Sequence, residues 1–382
     1  MKRSLLIFIV CLSACIDPYT HPEIAKSDPF LVVDGFINPM EISKITLSYT
    51  QSLNLGGSTA PSFEIGAEVW VEDEQENKFS MTGDNQGNYY LAPNSIDTSA
   101  PAAYRLKIKL TNQKEYESEF VPVLTSPDID SVTWGLSNNQ EVELKVSTHN
   151  DLTEEPGYFR WTFDETWEYF SRYYSAMSYN SATGEVEFRQ DNINKCWQQG
   201  YSTNISIEST TRFEENKVSE FVIDRFKLNS EKFYSKYSAL VKQQSLTEGA
   251  YSYWKQIKKT NQDLGTIFGP LPSEVIGNFQ SLSDPEERVI GYFSISSIKT
   301  KRIFITTQEL PRPSQAYETP YGSCELFEIP AQRVNEVSQY LLVDPIYSDD
   351  GLGTIIAYTF SSQFCVDCRF RGGSTVQPEY WR

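Results

Sequence analysis

From Phe30 onward the chain alternates short apolar or alternating runs with turn residues, and that rhythm narrows the fold more than any other feature of the sequence. FLVVDGFI and ISKITLSYT flank a turn at Asn38-Pro39. IGAEVWVED, KFSMT and NYYLAP follow, the last two separated by GDNQGN. YRLKIKL and KEYESEFVPV close the series with a bend at Asn112-Gln113. A side-chain period of two over runs this short belongs to strands with one buried face, and a helix cannot use it. About seven such strands in a hundred residues are the pattern of a β-sandwich, here expected over residues 30–125. Aromatic residues make up 14% of the chain, which suits packed strand faces and equally suits platforms for sugars or peptides.

VPVLTSPDID, with Pro122 and Pro127, marks the expected boundary. Beyond it DSVTWGL, EVELKVSTH, YFRWTFDETWEYF, ERVIGYFSISS and KRIFITT again read as strands, so residues 126–382 form a larger β-rich domain. A helical insertion is expected at about 230–260. In SEKFYSKYSALVKQQ the spacing of Phe233, Tyr237, Leu240, Val241 and Gln244 predicts one helix capped by Asn229 or Ser230. TEGAYSYWKQIKK predicts a second, with Ala250, Trp254 and Ile257 on one face. The fold class is therefore mainly β, an N-terminal sandwich followed by a β-rich domain with a helical insertion. Within the first domain, Gly66 to Val121 is similar to transthyretin-like and carboxypeptidase-regulatory-like modules, a variety of the immunoglobulin-like sandwich. Gly87-Asn88-Tyr89 and the strand Tyr104-Arg105-Leu106-Lys107-Ile108 carry that likeness.

The chain opens MKRSLLIFIVCLSAC. Lys2 and Arg3, an apolar run too short to span a bilayer, and small residues before Cys15 have the order of a secretory leader. Leu12-Ser13-Ala14-Cys15 looks like a lipobox, which makes residues 1–14 a signal peptide and Cys15 the acylated first residue. Acyl chains contribute about 0.8 kcal/mol per buried methylene, so two or more hold a protein to a membrane stably. Residues 15–29, polar and broken by Pro18, Pro22 and Pro29, read as a tether. Removing 1–14 moves the formal charge from -18 to -20, because Lys2 and Arg3 go with it. Such an acidic body argues against nucleic acid.

With Cys11 cut away and Cys15 acylated, Cys196, Cys324, Cys365 and Cys368 remain. Four cysteines in an exported chain make two disulfides the expectation, with three connectivities open. Zinc is disfavoured: there is one C-x-x-C, and the histidines are His21 in the tether and His149 in a turn. A thioredoxin-like role is disfavoured too, since no βαβ pattern surrounds CVDC. The remaining reading is a clasp, with Gly372-Gly373 turning the chain and Tyr380-Trp381 tucked into the body. Asp164, Glu165 and Glu168 form the one carboxylate cluster considered for glycosidase-type work, and a chain with 51 acidic residues produces such clusters by chance. No catalytic residue, cofactor or metal is expected.

The chain resembles a functionally uncharacterised family of Bacteroidota outer-membrane lipoproteins, usually encoded beside SusC-like TonB-dependent receptors. LVVDGFI, YFRWTFDETWEY, Cys196-Trp197, YSYWKQI, IFGPLPSEVIGNF, VIGYFSIS and the closing CVDCRFRGGSTVQPEYW carry the resemblance. It implies an outer-membrane location through the lipid anchor, facing either the surface or the periplasm. It also implies a SusC-like receptor as partner and a non-catalytic accessory role with a glycan or peptide ligand. The alternatives are a structural or assembly factor of the envelope and, third, a glycan- or peptide-acting enzyme.

Overall fold

Alternating valine, isoleucine, leucine and tyrosine put one face of each longer early strand into a shared core. The computed structural model describes residues 29–51, 62–98, 102–151, 155–212, 215–263, 275, 277–337 and 339–381. The leader, Cys15, the tether through residue 28 and most of IFGPLPSEVIG lie outside them. One sheet runs in the order Val289–Gly291, Leu31–Phe36, Ser43–Tyr49, Asn88–Leu91, Thr82–Gly83, with Ser62–Phe63 paired to Ser43–Tyr49. The facing sheet runs Phe279–Ser281, Glu115–Ser118, Ala103–Lys109, Val121–Leu124, Ile295–Ser296. Glu68–Asp73 also pairs with Ala103–Lys109 and carries Lys78–Ser80. Ile45 and Leu47 from the first sheet meet Val71, Leu106 and Ile108 from the second, all without exposure. This is a β-sandwich.

Two of its turns are built alike, which the spacing D-x-x-x-N explains. Asp73 accepts the backbone N–H of Gln75 and Asn77 and the Asn77 side-chain amide, and Asp84 does the same with Gln86 and Asn88. The side-chain amides of Asn77 and Asn88, ahead of the backbone donors, hold both carboxyls below their usual range.

The expected boundary at 125/126 needs correction, because the chain comes back. Phe279–Ser281, Val289–Gly291 and Ile295–Ser296 complete the first sandwich, the last two running parallel to Leu31–Phe36 and Val121–Leu124. Residues 126–382 are therefore not one body. Ile295 is fully buried at the seam, paired with both Val123 and Ile37. Parallel pairing needs a long crossover; here it is most of the second sandwich.

That second sandwich packs the sheet Ile129–Leu136, Glu141–His149, Lys217–Lys227 against Lys195–Tyr201, Tyr158–Phe170, Lys236–Ser245, Ile298–Thr306. Val142, Leu144 and Val146 face Phe159, Trp161 and Phe163 in its core. The helix expected over SEKFYSKYSALVKQQ is overturned. Glu231–Phe233 is a single 3-10 turn, capped by the Ser230 hydroxyl, and Lys236–Ser245 is a central strand between Tyr158–Phe170 and Ile298–Thr306. The buried alternation Tyr237, Ala239, Val241, Gln243 shares two residues with the helical set, and pairing on both edges decides for the strand. The second predicted helix exists as Glu248–Asp263, with Ala250 buried and the Thr247 hydroxyl accepting the Ala250 N–H.

This helix lies over Tyr158–Phe170, where the Arg160 guanidinium sits 3.7 Å from the centre of the Trp254 ring. Burial pushes the Arg160 pKa down to about 10, with Asp34 of the first sandwich pulling the other way. A third, smaller sheet, Phe327–Pro330, Ile355–Ser362, Tyr340–Tyr347, packs with the hairpin Met177–Asn180 and Glu185–Phe188.

Candidate functional site

The four cysteines are joined as Cys196–Cys368 and Cys324–Cys365, the shorter loop nested in the longer. The two ends of the C-x-x-C motif thus hold different parts of the molecule. Cys368 ties the C-terminal segment to the edge strand Lys195–Tyr201, and Cys365 ties it to the irregular segment before Phe327–Pro330. Beyond the bridges, Gly372 takes a left-handed φ of 82° that ends the turn Cys368–Arg371. A Cβ at Gly373 would collide with the Tyr169 hydroxyl, so glycine is required there for close approach.

The tail then lies across the outer face of the second sandwich. Trp197 and Ser374 exchange backbone hydrogen bonds, Tyr380 and Thr166 hydroxyls meet at 2.7 Å, and the Trp381 indole donates to Glu168 at 3.3 Å. Arg302 stacks on Tyr380 at 3.6 Å.

The carboxylate cluster of YFRWTFDETWEYF is taken apart by the strand itself. Glu165 and Glu168 differ by an odd number of residues and therefore point to opposite faces. Glu165 accepts from Lys232 and from Tyr237, while Glu168 accepts from Ser235, Lys195 and Trp381. Asp164 pairs with Lys242 and stands four residues, about 13 Å of extended chain, from Glu168. Burial would raise the Glu168 pKa, but the hydrogen bonds from Lys195 and Ser235 together hold it below the usual range. Each carboxylate is bound up in its own ion pair or hydrogen bonds, as expected of groups that anchor structure. His149 ends the strand Glu141–His149 between Asp130 at 2.6 Å and Asp151 at 3.0 Å. Among the described residues no group of three or more His, Cys, Asp or Glu is placed to hold a metal ion.

Beside the clasp the structure opens a cleft of about 390 Å³, within the usual range of small-ligand sites. Its floor is the end of Tyr158–Phe170, with Tyr169 fully buried and its hydroxyl donating to the Cys368 carbonyl at 2.6 Å. Burial pushes the Tyr169 phenol up to about 12 against the opposing pull of Arg371. Arg371 pairs with Glu231 through its two terminal guanidinium nitrogens at 2.7 and 2.5 Å and lies 4.2 Å from the Tyr169 ring centre and 4.7 Å from that of Tyr321. Tyr234, from beside the 3-10 turn, forms one wall and meets Tyr317 edge-on at 5.3 Å. The other wall, Ala316 to Tyr321, is held by the Glu318 N–H on the Asn229 carbonyl and by Cys324 three residues further on. The clasp therefore fixes the cleft's geometry. Reading the sequence missed Tyr234, Tyr317, Tyr321 and Arg172 as a set. Only the density of aromatics in AYETPYG hinted at them.

The profile of a domain of unknown function, DUF4249, matches residues 16–302. The chain belongs to that family. The DUF4249 match contains Tyr169, Arg172, Glu231 and Tyr234 but ends before Tyr317, Tyr321 and the closing CVDCRFRGGSTVQPEYW, so the resemblance drawn from that motif reaches further than the family match. No curated protein matches the chain. Among solved structures this DUF4249 chain is similar to the chicken CNTN1 FN1-FN3 domains at 13% identity and a TM-score of 0.17. The likeness covers 58% of this chain and 61% of that one, and it is too loose to carry an argument. Among the described residues no helix is long and apolar enough to cross a membrane.

Proposed function

We propose that this protein is a non-catalytic binding subunit of the bacterial envelope, held to the outer membrane by acylated Cys15 and serving a SusC-like TonB-dependent receptor in nutrient uptake. The observation that carries the binding role is the aromatic cleft whose walls are cross-linked by Cys324–Cys365 and by Arg371–Glu231. A pre-formed site of this kind loses little freedom when a ligand enters. Support for the non-catalytic reading is the pairing of Asp164, Glu165 and Glu168 with lysines or hydroxyl and indole donors, which leaves none of them positioned as an acid with a free partner base. Support for the anchor is the order of Lys2, Arg3, apolar run and Cys15. Support for the receptor is the resemblance in sequence to lipoproteins encoded beside such barrels.

The test is membrane fractionation followed by purification in detergent. Cys15→Ala is expected to move the protein from the membrane pellet to the soluble fraction, and the acylated wild type is expected to bring down a receptor barrel in stoichiometric amount. A variant that still sediments removes the anchor. A wild type that brings down other envelope proteins without a barrel replaces the uptake role by the structural or assembly role.

A further inference from the structure

We infer that the cleft beside the clasp takes an anionic saccharide, one whose pyranose ring lies on the tyrosine walls and whose carboxylate meets Arg172. This deepens the binding role proposed above and rests on it.

The cleft is lined by two carboxylates, and both are already neutralised: Glu231 by Arg371 and Glu318 by Lys227 at 2.8 Å. Arg172, at the rim, has neither an ion pair nor a hydrogen bond among the described residues. In a chain with a formal charge of -18, a cation left open at the mouth of a cleft selects for a negative ligand. The planar guanidinium fork suits a carboxylate or sulfate, which it can hold with two hydrogen bonds.

The walls decide the rest of the ligand. Tyr234 and Tyr317 stand at 87° to one another, so they present two ring surfaces around one corner. The Tyr321 hydroxyl is buried beside Arg371, and its ring adds apolar surface to the cleft. Flat aromatic faces with polar groups at their edges match a molecule that is apolar on its ring face and hydroxylated around its rim, which describes a pyranose. A peptide is less well served. The wall from Ala316 to Tyr321 holds one isolated bridge, Ser230 with Glu318, and no strand, so an extended peptide finds no ladder to join. The cleft is also too small to seat an amphipathic helix, which needs anchors over two turns.

The experiment is isothermal titration of the soluble body with trigalacturonate, with its neutral methyl ester, and with an acidic tripeptide. The acid is expected to bind at least about tenfold more tightly than the ester, and the preference is expected to shrink as salt is added. Arg172→Gln is expected to abolish the preference between acid and ester. Tyr234→Ala is expected to weaken both sugars. Arg172 and Tyr234 are exposed, and an unchanged melting temperature and near-ultraviolet spectrum would show that these variants fold. Equal affinity for acid and ester, a preference that survives Arg172→Gln, tighter binding of the tripeptide, or no heat from either sugar at millimolar concentration would each overturn the inference. Those results would leave the anchor and the receptor partnership standing, because membrane fractionation tests them separately.

Discussion

The two sandwiches close themselves by different means. The first has no disulfide among its described residues and is completed by three short strands that follow most of the second sandwich in the chain: Phe279–Ser281, Val289–Gly291 and Ile295–Ser296. The second is closed from outside, by a C-terminal segment that carries both bridges within four residues and lays Tyr380 and Trp381 across a sheet face. Pairing between distant strands has to recover loop-closure entropy through hydrogen bonds and burial alone. A disulfide removes part of that entropy from the unfolded chain. The difference suits the two tasks. The first sandwich holds its late strands by burial and pairing, whereas the C-terminal segment adds two covalent bridges to the burial of Val366 and Trp381. The cleft sits on the cross-linked side, where its walls cannot spread.

The largest effect expected from breaking this contrast comes from Cys196→Ala with Cys368→Ala. On the chain-entropy account it lowers stability by about 3–5 kcal/mol. Urea unfolding would measure the loss, and limited proteolysis should cut the segment from 363 onward well before the first sandwich. Equal susceptibility of both sandwiches would mean that the clasp is not local. Next comes Ile295→Ala, at a fully buried seam residue, expected to cost about 2–4 kcal/mol. Hydrogen exchange should quicken in Leu31–Phe36 and Val121–Leu124, far away in sequence, and stay slow in Lys236–Ser245. Uniform quickening would merge the two bodies into one cooperative unit.

The smallest effect lies on the rim of the second sandwich. The hydrogen bond to Asp130, then the charges of Asp130 and Asp151, raise the pKa of exposed His149 above its ordinary value of about 6.5. With a folded pKa above the unfolded one, the contribution of this pair is complete below the unfolded pKa and fades as pH rises through the folded one. A nuclear magnetic resonance titration of the imidazole, repeated after Asp130→Asn, should show the midpoint fall. An unchanged midpoint would assign the shift elsewhere.

Most strands were legible because alternation survives in the residues themselves: Ile45 and Leu47, or Leu106 and Ile108, point inward whatever surrounds them. The strand Lys236–Ser245 was not, since Tyr237 and Val241 satisfy both the helical and the extended period. Only a neighbour on each side makes the strand the cheaper choice. The carboxylates of YFRWTFDETWEYF looked like a cluster because they are close in sequence, but pleating sends Glu165 and Glu168 to opposite faces. The cleft was hardly legible at all. Arg172, Tyr234 and Tyr317 come from three segments that meet only after the sheets pair and the bridges form.

By itself, the sequence determined the strand rhythm, the acidic surface and the supply of four cysteines, all of which depend on neighbouring residues or on composition. Which cysteines pair, which late strands return to the first sandwich and which rings face one cavity were decided by tertiary structure. Those outcomes depend on distances between residues far apart in the chain, and no local preference encodes a distance of that kind.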